Sequence, residues 1–65
     1  MIASIGYSQA DEILEVEFQN GRIYQYDGVP AAKHVSLLSA DSVGAYFNKN
    51  IRDQYRSRYV STRDA

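Results

Sequence analysis

The order of apolar and polar residues changes character halfway along the chain. Ile13-Leu14-Glu15-Val16-Glu17-Phe18 alternates, which puts Leu14, Val16 and Phe18 on one side of an extended segment and two glutamates on the other. Arg22-Ile23-Tyr24-Gln25-Tyr26 reads as a returning strand, with Gln19-Asn20-Gly21 as the hairpin turn between them. Ser4–Ser8 is a further short candidate strand, joined to the hairpin by the polar run Ser8-Gln9-Ala10-Asp11-Glu12. The turn length decides which side chains share a face. A two-residue Asn20-Gly21 turn pairs Phe18 with Ile23 and sets Glu15 and Glu17 opposite Tyr26 and Tyr24. A three-residue loop, with Gly21 in the left-handed bulge position, pairs Val16 with Tyr24 and Leu14 with Tyr26. The second register is preferred because it gathers most of the large side chains on one packed face.

Beyond Asp27-Gly28 the spacing becomes helical. Pro30 suits the first position of a helix, where its missing N–H costs nothing. The pattern predicts a helix from about Pro30 to Ser39 with Ala31, Val35 and Leu38 facing inward and Leu37 beside them. Ser39-Ala40-Asp41-Ser42 is a break rich in capping residues. A second helix is predicted from about Val43 to Tyr55, with Val43, Tyr46, Phe47, Ile51 and Tyr55 forming one apolar stripe. Tyr59-Val60-Ser61-Thr62 supplies a candidate last strand. The expected fold is α+β: an antiparallel three- to four-stranded sheet followed by two helices packed on it, in a single domain over residues 1–65. The expected core is Leu14, Val16, Phe18, Tyr24, Val35, Leu38, Val43, Phe47 and Ile51.

Composition narrows the function. The chain has 65 residues, too few for a deep catalytic cleft, so self-association is a plausible source of extra burial. It contains no Cys, which removes disulfides, thiolate metal sites and cysteine nucleophiles and fits a reducing, cytoplasmic setting. No apolar run is long enough to span a membrane, and the first residues lack the features of a secretory signal. The net charge is −1, unevenly spread. Residues 1–32 carry Asp11, Glu12, Glu15, Glu17 and Asp27 against Arg22. Residues 33–65 carry Lys33, Lys49, Arg52, Arg56, Arg58 and Arg63 against Asp41, Asp53 and Asp64. Such asymmetry is either a footprint for an anionic partner or a basic face that pairs with the acidic hairpin of the same or a neighbouring molecule.

Catalysis has little to work with. His34 is the one histidine, and no spacing ties it to Ser36 and a carboxylate. Glu15 and Glu17 share a strand face and could share a cation, but alternating glutamates usually mark a wet side. The expectation is a non-enzyme without cofactor or metal. Three features point to binding instead. Tyr24 and Tyr26 on one strand face can stack unpaired bases, or pack under the helices. Ser42-Val43-Gly44 opens the second helix, where free N–H groups favour an anion, and Gly44 permits a close approach by a phosphate or by the first helix. Lys49, Arg52 and Arg56, continued by Arg58 and interleaved with Asn48 and Tyr55, can follow a phosphate backbone or serve as a solvated face.

Taken in order, Leu14-Glu15-Val16-Glu17-Phe18, Gly21, Tyr24-Gln25-Tyr26, Val29-Pro30 and Ser42-Val43-Gly44-Ala45-Tyr46-Phe47-Asn48, ending in Ile51-Arg52 and Tyr55, resemble the KTSC domain. That family takes its name from a segment at the C-terminus of some lysyl-tRNA synthetases and also occurs as small stand-alone bacterial and phage-type proteins. The resemblance maps the family's Tyr-x-Tyr onto Tyr24 and Tyr26, and its synthetase context implies RNA binding. The resulting expectation is a small non-catalytic module that binds RNA through the Tyr-x-Tyr strand and the basic helix. The alternative is an oligomeric protein-interaction module or a phage-type antagonist of a host factor, including one that captures a small phosphorylated nucleotide.

Overall fold

The computed structural model describes residues 2–63. Three strands come first: β1 (Ile2–Ser8), β2 (Ile13–Phe18) and β3 (Arg22–Tyr26). Two helices follow, α1 (Ala31–Ser39) and α2 (Val43–Asn50), and then β4 (Ser57–Thr62). The strands form one antiparallel sheet in the order β1-β2-β3-β4, so β4 returns beside β3 after the helical excursion. The arrangement is the α+β one the sequence predicts, with all four strands present.

The β2–β3 hairpin adopts the three-residue loop. Gly21 donates its N–H to the Phe18 carbonyl at 2.9 Å and sits at φ 87°, a conformation in which glycine avoids the steric cost other residues bear. Asn20 Oδ1 accepts the Arg22 N–H at 3.0 Å. Val16 therefore faces Tyr24 and Leu14 faces Tyr26. Arg63 also closes on this turn, its N–H reaching the Gly21 carbonyl at 2.7 Å.

The core lies between the sheet and the helices. Leu14, Val16, Tyr26, Val29, Leu37, Phe47 and Ile51 are buried, and Phe18, Tyr24 and Val43 pack against them half-buried. Phe47 meets Phe18 and Tyr26 edge-on, at ring-centroid distances of 5.7 and 5.3 Å.

Two core expectations are corrected on α1: Val35 and Leu38 are 61% and 56% exposed, while Leu37 is fully buried. The cause is the rotation of the helix. His34 stacks on the Tyr7 ring at 4.6 Å with an 18° interplanar angle, which turns the stripe of Ala31, His34 and Leu37 toward the sheet. Val29, just ahead of Pro30, fills the remaining space. Pro30 is the residue before the helix, with extended ψ 154°, rather than its first turn.

The second helix is shorter than the pattern predicts, ending at Asn50 rather than Tyr55. The Phe47 carbonyl accepts from both Ile51 N (3.0 Å) and Arg52 N (2.9 Å), and Gln54 N turns back to the Ile51 carbonyl at 3.1 Å. The ladder unwinds there, in a stretch where Asn48, Asn50 and Asp53 offer weak helix propensity. Arg52 and Arg56 consequently lie beyond the helix, not on it. The final strand starts at Ser57, two residues earlier than expected, and each of its residues is exposed.

Candidate functional site: a groove beside the Tyr-x-Tyr strand

Alternation along β3 puts Arg22, Tyr24 and Tyr26 on the helical face of the sheet, a row about 13 Å long at ~3.3 Å per residue. A groove of about 460 Å³ runs along this row. Its floor is Phe18, Arg22, Tyr24 and Tyr26, and its walls are Asn20, the Phe47-Asn48 end of α2, the Arg52-Asp53 turn and Ser57. Tyr24 is half-buried between Phe18 and Tyr59, which meet it edge-on at 5.9 and 5.6 Å. Tyr26 is 4% exposed. Burial raises its phenol above the usual 10.0; the Arg52 charge opposes that rise, and Tyr24 and Asp53 add to it.

The groove brings together four of the residues singled out from sequence: Tyr24, Tyr26, Asn48 and Arg52. The others lie elsewhere. Ser42 caps α2, its hydroxyl accepting the Ala45 N–H at 3.2 Å, and Gly44 is half-buried in the first turn of that helix. Lys49 and Arg56 are exposed and outside the groove. Arg58 faces the other side of the sheet, paired with Gln25 across the β3–β4 ladder. There its guanidinium holds Asp27 at 2.8 Å and Gln25 Oε1 at 2.8 Å. The basic stripe is thus split between a groove residue, two exposed cations and a structural clamp.

Arg22, Asn20 and Asp53 were not singled out. The signal for Arg22 was available, since it shares the parity of Tyr24 and Tyr26 on the strand. The acidic side of the hairpin is engaged internally: Glu15 accepts from Gln25 Nε2 at 2.9 Å, and Glu17 accepts from Ser4 Oγ at 2.8 Å with Arg63 Nε at 3.5 Å. Among the described residues no group of three or more His, Asp or Glu side chains is placed to hold a metal ion. No described helix is long and apolar enough to cross a membrane.

Comparison with known proteins agrees with the fold. Residues 1–55 match the model of the KTSC domain, so the match stops short of β4. An uncharacterized protein of Stutzerimonas stutzeri is 43% identical over 54 residues, covering 83% of this chain and 76% of that protein. A lysine–tRNA ligase of Nostoc punctiforme is 33% identical over 61 residues, which is 94% of this chain but only 11% of the ligase. The crystal structure of a KTSC domain protein from Yersinia pestis superposes with a TM-score of 0.89 at 37% identity, covering 92% of this chain and 84% of that one. With its sequence matched over most of its length and its fold shared, the chain belongs to the KTSC domain family.

Proposed function

We propose that this domain is a non-catalytic RNA-binding module that takes unpaired nucleotides into the groove along β3. The observation that carries the reading is the convergence in one groove of the Tyr24 ring, the arginines at 22 and 52, and the amides of Asn20 and Asn48. Aromatic rings stack bases of any sequence, guanidinium groups meet phosphates, and amides meet base edges; single-strand binders combine these three. The similarity to part of a lysine–tRNA ligase, an enzyme that acts on tRNA, supports the same ligand class.

The test is fluorescence anisotropy with mixed-sequence single-stranded RNA across a salt series. Tyr24→Ala removes one stacking platform and should weaken binding by about 1–3 kcal/mol. Arg22→Gln and Arg52→Gln should each reduce the salt slope by roughly 0.7. Absence of RNA binding at low salt, or binding untouched by all three substitutions, refutes the reading. A second reading, a protein-interaction module, is favoured by the exposed Val35 and Leu38 on α1. Sedimentation would show a mass above the monomer that Leu38→Glu abolishes; an unchanged monomeric mass at all concentrations counts against self-association.

A further inference from the structure

The Tyr26 side chain is more than nine-tenths buried, yet its hydroxyl has no hydrogen-bond partner among the described residues. No side-chain N or O atom is sealed away from solvent without a partner there, so the hydroxyl opens onto the groove that Tyr26 lines. Burial of a phenol normally comes with a partner for its O–H. Tyr7, half-buried on the same face of the sheet, follows that rule: its hydroxyl donates to the Val29 carbonyl at 2.6 Å. Tyr26 is the one tyrosine in the buried core, and the groove its hydroxyl opens onto also presents a carboxylate. Asp53 lines the wall of the same groove beside Arg52, and both charges act on the phenol, that of Arg52 more strongly.

We infer that the Tyr26 hydroxyl and the Asp53 carboxylate form a ribose-reading pair, which binds a 2′-hydroxyl and so selects RNA over DNA. The chemistry matches in both directions. A 2′-hydroxyl is at once donor and acceptor. It accepts the Tyr26 O–H and donates to Asp53, whereas a deoxyribose offers neither group a partner. The Tyr24 ring in the same floor would hold the base and the guanidinium groups of Arg22 and Arg52 the flanking phosphates, which leaves the sugar to Tyr26 and Asp53. The inference rests on the RNA-binding reading.

Its test compares single strands of identical mixed sequence in ribo and 2′-deoxyribo form, with uracil in both so that the sugar is the one difference. The wild-type domain should bind the ribo strand roughly tenfold more tightly, the scale of one well-placed hydrogen bond to a charged or buried group. Tyr26→Phe keeps the ring in the core and should bring the ribo affinity most of the way down to the deoxy value while leaving the deoxy value unchanged. Asp53→Asn, at an exposed position, should narrow the same gap without touching the fold. Equal wild-type affinity for the two strands overturns the inference and leaves RNA binding intact. So does a Tyr26→Phe loss shared equally by both strands, which would place the hydroxyl against a base or phosphate. Failure to bind either strand overturns the RNA reading itself and this inference with it.

Discussion

Leu37 and Leu38 are adjacent, chemically identical and on the same helix, yet one is fully buried and the other is 56% exposed. Truncating each to alanine therefore measures burial with propensity held constant. Both changes gain the same small amount of helix propensity. Leu37→Ala removes a side chain from the buried cluster that includes Leu14, Val16 and Phe47 and should cost about 2–5 kcal/mol, from lost transfer energy and the residual cavity. Leu38→Ala removes a side chain already more than half in water and should change stability by under ~1 kcal/mol. A domain of this length holds on the order of 3–10 kcal/mol in total, so the Leu37 variant sits close to unfolding at room temperature. Urea melts followed by far-UV circular dichroism at low temperature give both values, and the melting temperatures should differ by roughly 10–20 °C. Equal losses, or a larger loss from Leu38→Ala, would mean that α1 is rotated toward the Val35-Leu38 stripe and that the stacking of His34 on Tyr7 does not set its orientation.

Gly21→Ala should destabilise by at least about 1–2 kcal/mol for the left-handed backbone alone. It should lose more because a Cβ there would lie 2.5 Å from the Arg63 carbonyl oxygen. Chemical denaturation reads the sum, and a cost below the backbone figure refutes the turn geometry. Arg58→Gln breaks the ion pair with Asp27, but both side chains are substantially exposed, so the loss should stay within ~1 kcal/mol and RNA affinity should not change. A fall in affinity would return Arg58 to the binding surface. Tyr26 has its folded-state pKa raised above 10.0, so folding favours the neutral phenol. Its stabilising contribution is complete below pH 10 and is lost as pH rises toward the folded value. The melting temperature should fall in that alkaline range, and Tyr26→Phe should lessen the fall; an identical alkaline profile in the variant would remove Tyr26 as the source.

The hairpin was readable because a two-residue periodicity and a glycine in a three-residue turn constrain each other. A shift by one residue would have sent Leu14 and Val16 to the wet side. The core contribution of Phe47 and Ile51 was readable for a similar reason, since their helical spacing survives even though α2 unwinds at Ile51. The choice between Leu37 and Leu38 was not readable. A nine-residue helix with apolar residues on two flanks can rotate either way, and a stacking contact with a distant strand decides it. The basic stripe misled for a related reason: helical spacing was extended through residues that turn or form strand. Parity then sends Arg58 across the sheet, and the same rule on β3 brings Arg22 into the groove.

The placement of β4 has a kinetic consequence. The β1–β2 and β2–β3 pairings close over short turns, whereas β3 meets β4 only after both helices have been laid down. Closing that longer loop costs more chain entropy, and β4 offers only exposed side chains in return. The meander and helices should therefore form the folding nucleus, with β4 zipping on afterwards and opening first. Substitutions in β4 should speed unfolding and leave the folding rate unchanged, while truncations at Leu14 and Val16 should slow folding. A folding limb slowed by changes in β4 would reverse that order. Because Ser57 walls the groove, the same late strand is a latch on it: when β4 opens, one side of the groove opens with it.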